Sequence, residues 1–533
     1  MSESSPDDKS FGPIRQFLWP IHRHEMKKLI PMLLIFFLVH FSYNILRTLK
    51  DTLIVTAKCS GVEAIAFIKV WVMFPGAILM TFLFTRLSNR FSRETVFYVM
   101  MSIFLLTFFL FGFFLYPLRE SIHPHAFADF LQEMLPAGCK GFIAMFRNWT
   151  FTLFYGMSEL WGNIIIFVLF WGFANEITTI NEAKRFYGLL GFGANLSGVI
   201  AGLISVFISR RAFNPHLPFG ETGWEQSLVL LISLVILSGV LSLGLFRWLN
   251  RKFLLSSHNE LKKFDENNAI KGKLSLRKNF AYLLKSNYLI YIALIVISYS
   301  VVINLIELVW KDRMKALYPS PSDYNLYFNQ VSMIIGITAT LASLFLSGNV
   351  LRKYGWTFTA MLTPLIVLFT SLVFFGLFFT EKHLPGPAAA LFGFTPLMLI
   401  VLSGSIQNIF SRAAKYTVFD ITKEVAFVPL TTESKLKGKA AIDGVCNRLG
   451  KCGGSVIHTG LLFMCTTFTV SAPYVMVMII VVIGIWMLSI RFLGKEFDLL
   501  SGTQKQKAPL VEELPERRLH PTEHAALVKE QIV

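Results

Sequence analysis

About a dozen stretches of roughly twenty mainly apolar residues follow one another along this chain, each long enough to cross the hydrocarbon core of a bilayer. With no water there to satisfy backbone N–H and C=O groups, only internally bonded helices or a closed barrel can span. Barrel strands need only about ten alternating residues, and these stretches are twice as long without alternation. The chain is therefore expected to be an all-α polytopic membrane protein. The spans read as 29–49, 64–84, 95–116, 149–173, 187–208, 227–246, 288–310, 328–346, 357–379, 390–410, 440–467 and 474–492. Composition agrees: 54% of residues are hydrophobic and 16% charged, against about 25% charged in soluble domains.

The net charge of +17 would suggest nucleic acid in a soluble chain. Here roughly thirty-five Lys and Arg fall on one side of the spans and about eleven on the other, the bias that marks cytoplasmic loops. Both termini are expected on the cytoplasmic side, and no nucleic-acid partner is implied. The most basic loop follows the sixth span and divides the chain six plus six. That gives a cytoplasmic tail (1–28), a six-helix bundle (29–247), a basic linker (248–286), a second bundle (287–494) and a cytoplasmic tail (495–533). The opening residues lack the basic start, short apolar region and cleavage site of a signal peptide and are acidic early, unlike a transit peptide. A bacterial inner membrane is the expected location. The five Cys imply no disulfide framework. The "HPH" at 123–125 lacks the carboxylates of a metal site and reads as loop, so no metal or cofactor is expected.

The two halves echo each other. "NILRTLKDTLIV" closes the first span and "IELVWKDRMKAL" the seventh, while the basic turns "RLSNRFSRE" and "GNVLRKYGW" place Arg90 and Arg352 at nearly the same offset. Repeated basic turns in two six-helix halves are the pattern of the major facilitator architecture.

Charges inside the spans carry the functional signal, because each costs roughly 2.5–3.5 kcal/mol to insert. Lys69, Glu159, Glu307, Arg448 and Lys451 all lie within spans. Helical spacing sets Thr152, Tyr155, Glu159 and Asn163 on one face, Ser300, Asn304, Glu307 and Lys311 on another, and Asn447, Lys451, Ser455 and His458 on a third. One reading pairs Lys69 and Lys451 with Glu159 and Glu307 as packing bridges. The other, which the length of the stripes favours, is a hydrated cavity for a multiply charged anion. In it Lys69, Lys451 and Arg448, with Arg47 and Lys50 at the end of the first span, would meet phosphate oxygens.

Two glycine patterns mislead. "GVCNRLGKCGGS" (444–455) resembles a phosphate-binding loop, but its gap is one residue too long and Cys452 replaces the hydroxyl. "GLLGFGANLSGVIAG" starts like a dinucleotide fingerprint with no strand before it; Gly198 to Gly202 is a helix-packing GxxxG, with Asn195 on the same face as a candidate substrate contact.

At these residues the chain resembles the nucleotide transporters (ATP/ADP translocases) of plastids and obligate intracellular bacteria. The likeness runs through "LRTLKDTLIV", "FIKVWVMFP", "LFWGFANEITTINEAKRFYGLLGFGANLSG", "IELVWKDRMKALYPSP", "YTVFDITKEVAFVPL" and "KGKAAIDGVCNRLGKCGGS". In that family two lysines and two glutamates are tied to transport, and they match Lys69, Glu159, Glu307 and Lys451. Plant-like members carry proline and serine where this chain has Arg448 and Cys452, so the resemblance supplies no role for Arg448. The resemblance implies import of ATP in exchange for ADP, with phosphate moving alongside ADP; the self-contained twelve-span fold suggests a monomer, and with no Walker B carboxylate context or soluble nucleotide-binding domain no enzyme is expected. For reading the base, Tyr155 is the expected stacking ring and Asn163, Asn195 and Asn304 the expected hydrogen-bonding side chains. The rival within transport is a proton-coupled net importer of several nucleoside triphosphates, or of NAD, with Glu159 or Glu307 as proton carrier.

Overall fold

The computed structural model describes residues 21–178, 180–251, 286–345, 349–381, 393–430, 438, 439, 442 and 446–507. Twelve long helices stand out among them: α1 (Arg23–Thr56), α2 (Val62–Arg90), α3 (Glu94–Leu115), α4 (Trp149–Asn175), α5 (Ile180–Ser209), α6 (Gly223–Leu249), α7 (Asn287–Leu317), α8 (Pro321–Phe345), α9 (Asn349–Thr380), α10 (Pro396–Ala426), α11 (Asn447–Cys465) and α12 (Phe468–Lys507). Ten are long and apolar enough to cross a membrane; α8 and α11 are not on that measure. Both carry polar faces, Asn325 and Asn329 on α8 and the Asn447 to His458 stripe on α11. The central loop and the outer parts of both tails lie outside the described residues, as do Thr179 and 443–445.

The packing repeats with the sequence. α1 packs on α4, α5 and α6, and α7 on α10, α11 and α12; α3 meets α6 as α9 meets α12. Between the halves α5 meets α8, and α2 meets α11, which is the same contact under a two-fold exchange. Lipid gives helices no hydrophobic reason to associate, so close backbone approach has to supply the attraction. Gly450 is an example: a Cβ there would stand 2.9 Å from the Ile297 carbonyl of α7. The stretch that resembled a phosphate loop is, from Asn447 onward, a helix whose glycines seat it against α7.

Several boundaries differ from those read in the sequence. The first span runs on to Thr56, so Lys50 and Asp51 lie inside the helix, and the tenth runs to Ala426 instead of stopping near Phe410. That continuation is achieved by a π-bulge at Lys415–Phe419. Similar bulges interrupt α2 at Lys69–Met73 and α4 at Gly162–Phe170. Each widens a turn and loosens the backbone ladder, which is why such bulges gather where helices carry function.

Between α3 and α4 the chain folds into short helices, Arg119–Ile122, His125–Met134 and Lys140–Arg147. Arg147 pairs with Asp129 at 2.6 Å, and Arg119 with Glu225 of α6 at 2.7 Å. His123 of the "HPH" meets the Thr150 hydroxyl at 2.7 Å, and no group of three metal-type ligands occurs among the described residues.

Candidate functional site

An unbroken line of alternating charges crosses the middle of the bundle. Glu159 of α4 meets the Lys50 ammonium at 3.4 Å, Lys50 meets Asp51 at 3.0 Å, and Asp51 reaches across to Lys311 of α7 at 2.8 Å. Lys311 meets Glu307 at 2.9 Å, and Glu307 meets Arg412 of α10 at 3.1 Å. The Asp51–Lys311 side chains are each 2% exposed, so this link between halves is shielded from screening and closes the interface. Around it, Thr48 donates to Asn329 at 3.0 Å, Thr52 to Asn325 at 3.3 Å, and Asn325 to Ser209 at 2.9 Å. Lys315 donates to the Ser60 carbonyl. All of these lie toward the C-terminal ends of α1 and α7, so the halves are joined at that end.

The remaining cations flank the line. Lys451 approaches Glu159 at 3.8 Å and is 55% exposed, the most open member of the group. Lys69 donates to Asn304 at 2.5 Å, and Arg47 has a buried Nη2 with no partner. Lys69 and Arg47 both lie within electrostatic reach of Glu307. The cluster thus holds six cations, Arg47, Lys50, Lys69, Lys311, Arg412 and Lys451, against Asp51, Glu159 and Glu307. It carries a surplus of three positive charges, suited to a polyanion.

Several of the expected site residues have partners other than those the sequence suggests. The bridge reading paired Lys69 and Lys451 with Glu159 and Glu307, but the partners of Glu307 are Lys311 and Arg412. Tyr155 was expected to stack on a base; it is 0% exposed, with the Lys50 ammonium 4.0 Å from its ring centre. In this conformation its face is occupied by a cation. Asn304 was expected to read base or ribose, yet it accepts from Lys69 and donates to the Lys451 carbonyl and to Ser455, both at 2.9 Å. Its groups are spent joining α2, α7 and α11. Asn447 accepts from Ser300 at 2.8 Å, and Asn163 donates back to the Glu159 carbonyl at 3.4 Å. On α5, the Asn195 carbonyl faces Gly336 of α8, while Gly202 sits against Met333; no contact among the described residues ties Asn195 to the charged line. Arg448 is exposed, on the same helix as Lys451.

Sequence reasoning missed Arg412 and Asp51. Both fell just past the expected ends of spans, where a charge is ordinary, and only the true helix lengths bring them inside the helices.

The family described as TLC ATP/ADP transporter matches residues 4–497 of the chain. The chain belongs to that family. Among relatives of this TLC transporter, "ADP,ATP carrier protein 1" of Chlamydia trachomatis serovar D is 45% identical over 504 residues, 94% of each chain. The "Plastidic ATP/ADP-transporter" of Solanum tuberosum is 40% identical over 477 residues, 89% of this chain and 74% of that one. Among solved structures, a D-xylose-proton symporter superposes with a TM-score of 0.52 at 13% identity, covering 88% of this chain and 97% of that one. The xylose transporter of E. coli in an inward-open conformation gives 0.52 at 13% identity, with 90% and 99% covered. At such identity the likeness concerns fold alone: the transporter is a multi-pass membrane protein with the twelve-helix major facilitator fold.

Proposed function

We propose that this transporter exchanges ATP for ADP across a bacterial inner membrane by alternating access, with both termini cytoplasmic. The observation that carries the reading is the charged line with its surplus of three cations, set where the two halves meet. A nucleoside triphosphate carries about four negative charges at neutral pH and a diphosphate about three, since the terminal phosphoryl titrates near pH 6. Either nearly cancels the surplus. Lys69 and Lys451 take the phosphates, Glu159 and Glu307 hold the cations when the site is empty, and the open side of Lys451 is the entry. With the termini cytoplasmic, the joined end faces outward and this conformation is open to the cell interior.

The test is uptake of labelled ATP into proteoliposomes preloaded with ADP, beside empty vesicles and vesicles given a proton gradient. Uptake that requires internal ADP supports exchange. Uptake into empty vesicles driven by the gradient would replace this reading with a proton-coupled importer. Preloading with ADP and phosphate, against ADP alone, tests whether phosphate moves with ADP.

A further inference from the structure

Each half sets one charged residue just ahead of a π-bulge, with opposite sign in the two halves. In α4 the π-bulge begins at Gly162, three residues after Glu159; in α10 it begins at Lys415, three residues after Arg412. Glu159 pairs with Lys50 of α1, and Arg412 with Glu307 of α7, the helix equivalent to α1. Glu159 faces the cluster, between Lys50 and Lys451. Its counterpart Arg412 therefore faces the same space from the opposite half.

Arg412 is also incompletely used. Its Nη2 donates to Glu307, but its buried Nε has no partner, and neither does the buried Nη2 of Arg47. A buried guanidinium N–H without an acceptor is costly and calls for an explanation. Arg47 and Arg412 both lie within electrostatic reach of Tyr416 and of Glu307. Two guanidinium groups with spare donors, from α1 and α10, make a planar-fork site of the kind that fits phosphate oxygens better than lysine does. Glu307 retains Lys311 at 2.9 Å if Arg412 lets it go.

We propose that Arg412, together with Arg47 of α1, binds the polyphosphate tail of the substrate, releasing Glu307 to Lys311 as it does so. The inference rests on the nucleotide reading above and adds a residue that reads the phosphates and ignores the nucleoside. One hydrogen bond to a charged group, once lost, weakens binding roughly ten- to a hundred-fold.

The experiment measures binding of ATP, AMP and inorganic tripolyphosphate to the purified full-length protein in detergent, for the wild type, Arg412→Gln and Arg412→Lys. Expected in Arg412→Gln is a ten- to hundred-fold loss for ATP and tripolyphosphate with AMP affinity unchanged. Arg412→Lys keeps a cation for Glu307, so it folds if the glutamine variant does not, and it shows an intermediate loss because it lacks the fork. Equal losses for ATP and AMP would make Arg412 structural and overturn the proposal; so would unchanged ATP and tripolyphosphate binding. If the wild type binds tripolyphosphate through Arg412 and shows no preference for adenine nucleotides, the nucleotide reading fails and the phosphoryl site stands.

Discussion

Replacing Asp51 by Asn removes the charge at the centre of the line while keeping the side chain's size. Asp51 bridges Lys50 and Lys311 at 3.0 and 2.8 Å and is almost fully buried. Stripping one partner from a buried pair costs about 3–5 kcal/mol. Here Lys50 keeps Glu159 and Lys311 keeps Glu307, so the lower end, about 3 kcal/mol, is the working figure. The pair joins the halves, so the loss falls on the conformation closed at this end and leaves the opposite conformation untouched. Three kcal/mol is about a hundred-fold in a conformational equilibrium. The assay is labelling of Thr48→Cys, in a background without native cysteines, by a membrane-impermeant maleimide added to intact cells. Thr48 is 1% exposed and donates to Asn329 across the interface, so labelling reports opening. Asp51→Asn should speed labelling by one to two orders of magnitude, and Asp51→Glu by far less. An unchanged rate in Asp51→Asn would refute the claim that this bridge closes the outer end.

Three further outcomes follow from the same geometry. Lys69→Ala and Lys451→Ala should each reduce ATP uptake at least ten-fold with the protein still folded, as judged by detergent gel filtration and uptake into proteoliposomes, because each removes a surplus cation; normal uptake would remove that lysine from the site. Arg448→Pro should alter nucleotide affinity without abolishing exchange, measured by competition among ATP, ADP and GTP, since Arg448 is exposed and one turn from Lys451 on α11. Gly138→Val should slow exchange and raise outside labelling of Thr48→Cys: a Cβ at Gly138 would stand 2.6 Å from the Phe463 Cα of α11, so the loop between α3 and α4 could no longer close on the other half; wild-type rates would show that this contact is dispensable.

The fold was legible because its signals are long-range in sequence and simple in physics. Hydropathy reveals spans, and the Lys-Asp repeat of Lys50-Asp51 and Lys311-Asp312 reveals the duplicated half. The charged residues were legible because bilayer insertion penalises each one singly. What periodicity does not encode is how far a helix continues past its apolar stretch. α1 extends to Thr56 and α10, through its bulge, to Ala426, and so Asp51 and Arg412 lie inside helices instead of beyond their ends. Nor does spacing tell a substrate-facing amide from one that locks helices. Asn304 shares a stripe with Glu307, yet its hydrogen bonds go to Lys69, Lys451 and Ser455. Side-chain competition for partners decides that, and it is set by the neighbouring helix.

The surplus charge gives a physical reason for exchange over net transport. To present the site to the other side, the halves must pass through a state closed at both ends, where water no longer solvates Lys451 and its neighbours. Taking uncompensated ions out of water costs several kcal/mol apiece even after relaxation. An empty site carries three such charges into that state, whereas a site holding a di- or triphosphate carries close to none. Each turnover therefore needs an anion in both directions, and a nucleotide of about three or four charges lowers the barrier most. On this argument, removing one surplus cation by Lys451→Ala should raise the small leak of ATP into empty vesicles relative to exchange, even as exchange itself falls. A leak-to-exchange ratio equal to that of the wild type would show that charge compensation is not what couples the two directions.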